Sequence, residues 1–177
     1  MLEQDRVEIL PWTGADGDRA AQPVRRVVDA GHGGAVGVIR FEGRPSDSRW
    51  TWTRPPKLVV MEAEEDGLCH MATLRRPWLS ARRWKMFDAE DQIVGLIHGL
   101  RIQDPLGYRF AWAEPFGVGR WRFRDLTGRE YAVWVASNGS DYLEWLDPKV
   151  TNPFLRMLVL GTVLCRVPIP ETSPASA

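Results

Sequence analysis

The sequence predicts a mainly β protein, namely a closed antiparallel barrel of about twelve strands around a central hydrophobic C-terminal α-helix. Three observations predict this fold class. Short segments alternate apolar and polar residues between turn residues, which is the pattern of half-buried strands. No alternation of strands with helices occurs, so a parallel sheet is not expected. One segment near the C-terminus is apolar on every side, and a large antiparallel sheet avoids exposed edges by closing.

Three hairpins with a common pattern account for half of the expected strands. They occupy residues 24–39, 82–97 and 119–134, and each has an apolar strand, an aspartate, a turn and a second apolar strand. The aspartates are Asp29, Asp88 and Asp125, and a small residue follows each at a near-constant offset, at Gly37, Gly95 and Ala132. A carboxylate at the start of a turn accepts backbone N–H groups. The three aspartates are therefore interpreted as turn formers.

The remaining strands are expected at residues 58–61, 68–74, 108–112 and 142–146, with one or two weaker segments. Along the third hairpin, Trp121 and Phe123 fall on one face and the arginines at 120, 122 and 124 on the other, as in a strand with one buried face.

The helix is expected over residues 152–166. Thr151 or Asn152 can cap it, and Pro153 suits the first helical position. It has no polar face, and its length of about 20 Å is short of the roughly 30 Å of a bilayer core. The helix is therefore placed inside the barrel, where Gly161 would allow a close approach to the wall.

The chain of 177 residues is expected to form one domain at residues 23–167, preceded by a partly ordered segment (1–22) and followed by a disordered tail (168–177). The 23 basic and 23 acidic residues balance, which argues against a nucleic-acid partner. Cys69 and Cys165 form neither a disulfide framework nor a metal motif. The acidic N-terminus is unlike a targeting segment, so a cytoplasmic location without a transmembrane span is expected.

Three short motifs carry a resemblance to a known superfamily. They are residues 71–76 with 83–88 and Val94-Gly95, residues 122–129, and the helix start at residues 152–160. Together they resemble the tubby C-terminal superfamily, which includes LURP-one-related proteins and phospholipid scramblases. The resemblance implies the barrel with a central helix, and it implies association with phosphoinositides or other lipids. The chain has Asn152 where the family's closing helix has aspartate.

A basic patch is the strongest candidate site in the sequence. Residues 74–85 contain five cations and two tryptophans, and the candidate lipid or phosphate ligands are Arg75, Arg76, Arg82, Arg83, Lys85 and Trp78. Arginine forks match phosphate oxygens, and tryptophan favours a lipid interface. The alternative is a solvated strand face whose cations pair with acids at positions 62, 64 and 65.

No residue pattern indicates catalysis. His32, His70 and His98 lack metal-ligand spacing, and no activated nucleophile is evident. The prediction is a non-catalytic binding module without cofactor or metal, which associates peripherally with anionic phospholipid. The alternatives are a small-ligand or enzymatic barrel, which a cleft joining His70 to His98 would favour, and a protein adaptor that uses exposed tryptophans.

Overall fold

The computed structural model describes residues 4–11, 23–42, 57–64, 67–77, 82–137, 140–146 and 152–166. The predicted tail at residues 168–177 lies outside the described residues. Twelve strands and one helix follow in chain order: β1 (Arg6–Pro11), β2 (Pro23–Asp29), β3 (Ala35–Glu42), β4 (Lys57–Glu64), β5 (Gly67–Arg75), β6 (Arg83–Asp88), β7 (Ile93–His98), β8 (Arg101–Gln103), β9 (Arg109–Gly117), β10 (Arg120–Asp125), β11 (Glu130–Ser137), β12 (Ser140–Trp145) and α1 (Pro153–Leu164).

The strands form one closed antiparallel barrel, which confirms the predicted fold class. Each strand pairs with its neighbours in the chain, and β1 pairs with β12 to close the barrel. The predicted domain boundary at residue 23 is therefore wrong, because β1 belongs to the barrel wall. Val7 and Ile9 on β1 are 2% and 0% exposed and fill the core beside β12.

Alternation sets the two faces of β6 as predicted. On β6, Trp84 and Met86 are buried in the core, while Arg83 and Lys85 point outward and are exposed. Because successive side chains of a strand point to opposite faces, β6 has an apolar face toward the core and a charged face toward solvent.

Aspartates close the turns at one end of the barrel. The carboxylate oxygen Oδ1 of Asp29, Asp88 and Asp125 each accepts a backbone N–H at 2.8 Å, from Gly31, Gln92 and Thr127 respectively. These contacts confirm the interpretation as turn formers. A fourth turn of this kind, in which Asp104 accepts the N–H of Tyr108 at 2.8 Å, was not predicted.

The helix begins and ends close to the predicted positions. Asn152 is its N-cap, and the side-chain oxygen accepts from Phe154 N at 3.0 Å and Leu155 N at 3.3 Å. Residues 156–164 are all buried, on every side of the helix. The six buried apolar side chains of the helix belong to one cluster with the inward side chains of the barrel, namely Met157, Leu158, Val159, Leu160, Val163 and Leu164. With twelve residues α1 falls short of a membrane span, and the described residues contain no other candidate.

Two glycines bring the helix and the wall together. A Cβ atom on Gly161 would lie 3.0 Å from both Ile97 Cδ1 and Leu74 Cδ2. A Cβ on Gly95 would lie 2.6 Å from the carbonyl oxygen of Gln103 and 2.9 Å from Leu158 Cδ1. The predicted role of Gly161 is thus confirmed, and Gly95 lets β7 pass equally close to the helix.

Candidate functional site

The predicted basic patch lies where β5 ends and β6 begins. Arg75 ends β5, Arg76 and Arg82 lie in the connection, and Arg83 and Lys85 lie on the outer face of β6. This connection, the β7–β8 turn and the C-terminus of α1 share one end of the barrel, called here the helix C-terminal end. The sixth predicted residue, at position 78, lies outside the described residues.

Arg75 is already engaged within the protein. Its guanidinium forms an ion pair with Asp91, and its central carbon lies 4.3 Å from the centre of the Phe87 ring. The alternative interpretation, a strand face whose cations pair with nearby acids, therefore applies to Arg75. Its partner is Asp91, whereas the sequence analysis expected the acids at positions 62, 64 and 65. Arg75 is a weaker candidate ligand than its neighbours.

Arg83 and Lys85 belong to a larger basic surface on three adjacent strands. Arg83 lies opposite His98 on β7, and His98 lies opposite Arg101 on β8. All point outward, since the intervening residues face the core. We call Arg83, Lys85, His98 and Arg101 the β6–β8 face. Within the described part of the chain, none of these four side chains has a hydrogen bond, ion pair or ring contact.

The outward side chains that continue this row around the barrel, on β9 to β11, form a surface whose charges are paired with one another. Arg101 lies opposite Trp112 on β9, and Trp112 lies opposite Arg124 on β10. The β9–β11 face consists of Glu114, Arg122, Arg124 and Glu130, and its four charges are interlocked. The Arg122–Glu114 and Arg122–Glu130 contacts measure 2.8 and 3.0 Å, and the Arg124–Glu114 contact measures 2.7 Å.

The carboxylates of the β9–β11 face are held in their charged form. A hydrogen bond from Trp112, followed by one from Arg122 and by the positive charges of Arg124 and Arg122, lowers the pKa of Glu114 below its ordinary value. A hydrogen bond from Arg124 has the same effect on the pKa of Glu130. This face is electrostatically satisfied within the protein, whereas the β6–β8 face is not.

A depression of about 630 Å³ opens at the helix C-terminal end, beside the β6–β8 face. Its lining contains four basic side chains together with Trp84, Gly99 and Cys165; the basic ones are Arg82, His98, Arg101 and Arg166. The guanidinium carbon of Arg76 lies 5.8 Å from the ring centre of Trp84, which places a fourth guanidinium group near the border of the depression. Among the residues that the structure describes, no acidic side chain lines the depression.

The sequence analysis missed Arg101 and Arg166, and it considered His98 only as a metal ligand or as part of a cleft with His70. Arg101 lies in a strand of three residues, too short for a periodic signal. A signal for Arg166 was present, because a residue directly after the buried helix must emerge at an end of the barrel. Only the register of β6, β7 and β8 brings these residues beside Arg82 and Arg83.

The other candidates have structural roles or are separate from the depression. His70 does not line it and shares a hydrogen bond of 2.8 Å with Thr73 Oγ1. His32 lies in the β2–β3 turn, 2.7 Å from a carboxylate oxygen of Asp29. Among the described residues, no group of three histidine, cysteine, aspartate or glutamate side chains could hold a metal ion.

The cysteines are poorly suited to act as thiolates. A hydrogen bond to Glu64 at 3.0 Å raises the pKa of the Cys69 thiol. Burial raises the pKa of the Cys165 thiol. Both side chains are therefore held as neutral thiols.

Comparison with known proteins supports the architecture. No protein-family model matches the chain, and no curated protein matches it. A solved X-ray structure of a protein from Arabidopsis thaliana is similar, with a TM-score of 0.53 and 13% identity, over 89% of this chain and 90% of that one. At this identity the likeness concerns the fold, a closed antiparallel barrel with a C-terminal helix.

Proposed function

We propose that the protein is a non-catalytic binding module of the cytoplasm that associates peripherally with anionic phospholipid. The contact surface is the β6–β8 face with the neighbouring rim residues Arg76 and Arg82. The observation that carries the proposal is the row Arg83–His98–Arg101, which forms no ion pair within the described residues. Arg83 and Arg101 lie on either side of His98 with no acidic side chain facing them across these strands, so the row suits a surface that meets an anionic partner.

The expected association is weak and sensitive to salt. A lysine or arginine close to an anionic membrane contributes about 1 kcal/mol, and the attraction falls off within about 8 Å at physiological ionic strength. Arg82, Arg83, Lys85 and Arg101 would together give reversible binding. Arg75 adds less, because Asp91 already neutralises it. The tubby-like relationship predicted from the sequence belongs to this proposal and favours the same class of ligand.

Sedimentation with vesicles tests the proposal. Phosphatidylcholine vesicles containing phosphatidylserine should bind the protein at low salt and release it at high salt. The double variant Arg83→Glu with Lys85→Glu should lose this binding. Arg26→Glu with Arg120→Glu is the matched control, because both residues are exposed, lie on other strands and change the net charge equally. Absence of binding to these vesicles, or equal loss in the control, removes the proposal.

An adaptor that uses exposed tryptophans has less support. In the described part of the chain, Trp84, Trp134 and Trp145 are only 8%, 4% and 6% exposed. Trp121 stacks on Trp134 with 4.2 Å between ring centres. These rings serve the core, so they offer little apolar surface to a partner.

A further inference from the structure

We propose that the depression at the helix C-terminal end binds a phosphate monoester, supplied by a soluble phosphorylated molecule or by a lipid with a terminal phosphate. This site is additional to the protein surface proposed to contact the membrane, although the two share Arg82, His98 and Arg101. Its defining addition is Arg166, which follows α1 and is not on the barrel wall. Three guanidinium groups thus come from three separate parts of the chain.

The β7–β8 turn holds two of these arginines in place. Gly99 has a φ of +64°, and its N–H donates to the carbonyl oxygen of Arg82 at 3.0 Å. Arg166 packs against this turn, with its Nη2 3.7 Å from the position of a Cβ on Gly99, which is an ordinary contact distance. The turn therefore fixes the backbone of Arg82 and lies directly beneath the guanidinium of Arg166.

The third arginine is positioned by strand register. Arg101 lies opposite His98 across β7 and β8, and both side chains line the depression. Directly opposed side chains have Cβ atoms about 5 Å apart. The cations thus surround one concavity and are not scattered along an edge.

The charge balance favours an anion. The C-terminus of α1 carries a partial charge of about −0.5 and disfavours an anion here. Three guanidinium groups carry three full positive charges, and the side chains of Arg82, Arg101 and Arg166 have no ion pair or hydrogen bond within the described residues. Arginine also matches the paired oxygens of a phosphate geometrically.

A phosphate monoester fits better than a smaller or less charged anion. Its terminal oxygens can each accept from a different guanidinium, which a diester or a carboxylate cannot match. The volume of about 630 Å³ exceeds that of a phosphate group and lies within the common range of ligand sites, about 300–1,000 Å³. Trp84 supplies an apolar wall for the esterified group.

Calorimetric titration of the full chain with glycerol 3-phosphate and with pyrophosphate tests the site. Binding should weaken by about tenfold or more in Arg101→Glu and in Arg166→Glu, because each substitution removes a charge-assisted contact. Both residues are exposed, so the fold should persist, as thermal denaturation can verify. Arg26→Glu and Arg120→Glu are the controls and should bind these probes like the unmodified protein, because both residues are exposed and neither lines the depression.

Vesicles of phosphatidylcholine with phosphatidic acid distinguish the two sources of the phosphate. If glycerol 3-phosphate displaces the protein from them, a lipid headgroup uses the site. If the probe binds but leaves vesicle association unchanged, the ligand is a soluble molecule. Either result supports a phosphate monoester site. Such a site does not require binding to phosphatidylserine vesicles, so the two proposals can fail independently. The inference is overturned if neither probe binds the folded protein, or if Arg26→Glu weakens binding as much as Arg101→Glu.

Discussion

The β6–β8 face and the β9–β11 face lie in one continuous row of outward side chains, yet they treat the same residue type differently. On β10, Arg122 and Arg124 each contact two glutamates. On β6 and β8, Arg83 and Arg101 contact no acid in the described part of the chain. Interlocked arginines serve the wall of the barrel, whereas unpaired ones remain available to a ligand. Ligand binding is therefore better inferred from unmatched charge than from the number of arginines.

Removing the support beneath the β6–β8 face should have the largest effect. In Gly95→Ala, the added Cβ would meet the carbonyl oxygen of Gln103 and the side chain of Leu158. We expect a loss of about 1–3 kcal/mol in the free energy of unfolding, as for other overpacked cores. Urea denaturation measures it. The equivalent position in the third hairpin is Ala132, which already carries a Cβ and is fully buried.

Gly34→Ala is the control for this substitution. Its Cβ would have nothing within 4 Å, so the free energy of unfolding should change by less than about 0.5 kcal/mol. Equal stability of Gly95→Ala and the unmodified protein would contradict the close approach of β7 to the helix.

Truncating arginines should separate the two faces by stability. Arg122→Ala breaks contacts to two glutamates and should lower Tm by roughly 3 °C. Arg83→Ala removes no internal partner and should change Tm by less than about 1 °C. Differential scanning calorimetry compares the two directly. A larger loss for Arg83→Ala would show that the β6–β8 face is structural.

Placing an acid in the β6–β8 face should make it resemble the β9–β11 face. His98→Glu puts a carboxylate between Arg83 and Arg101 on the adjacent strands. Favourable cross-strand pairs should raise Tm by about 1–2 °C, while binding of glycerol 3-phosphate should fall. His98→Gln serves as the uncharged control. A gain in Tm without loss of phosphate binding would exclude this row from the ligand site.

The smallest expected effect is the loss of stability on acidification that comes from the glutamates of the β9–β11 face. Their pKa values are lowered in the folded protein by hydrogen bonds from Trp112, Arg122 and Arg124. Their contribution to stability is therefore complete above the ordinary carboxyl pKa of 4.5 and is lost as the pH falls through the lower folded value.

The experiment compares urea midpoints of the unmodified protein and of Glu114→Gln with Glu130→Gln from neutral to acidic pH. The two proteins should differ at neutral pH and converge in acid. The turn-forming aspartates are common to both proteins, so their titration cancels. A difference that persists unchanged in acid would contradict the charged network.

The sequence was sufficient for the features that repeat along the chain. Alternation placed Trp84 inside and Lys85 outside, and an apolar run without a polar face placed α1 in the core. Asn152 and Pro153 marked the beginning of the helix. These features depend on neighbouring residues, and their physical causes are local.

Features that depend on closure of the barrel could not be predicted in this way. The Arg75–Asp91 ion pair spans sixteen residues and depends on the β5–β6 register. The depression depends on where α1 emerges and on a strand as short as β8. Predicting either requires knowing which strands are adjacent before assigning partners to charges.

The order of the elements has a consequence for how the domain is made. The helix that fills the interior, α1, is the last of the described elements. The strand pair that closes the barrel joins the first strand, β1, to the twelfth, β12. The wall can therefore close only once β12 has left the ribosome, and the interior can be filled only once α1 has followed it. Until then the apolar side chains that face the interior are exposed to water. The final folding steps therefore wait for the end of the domain, and they are slow because they join residues far apart in the sequence.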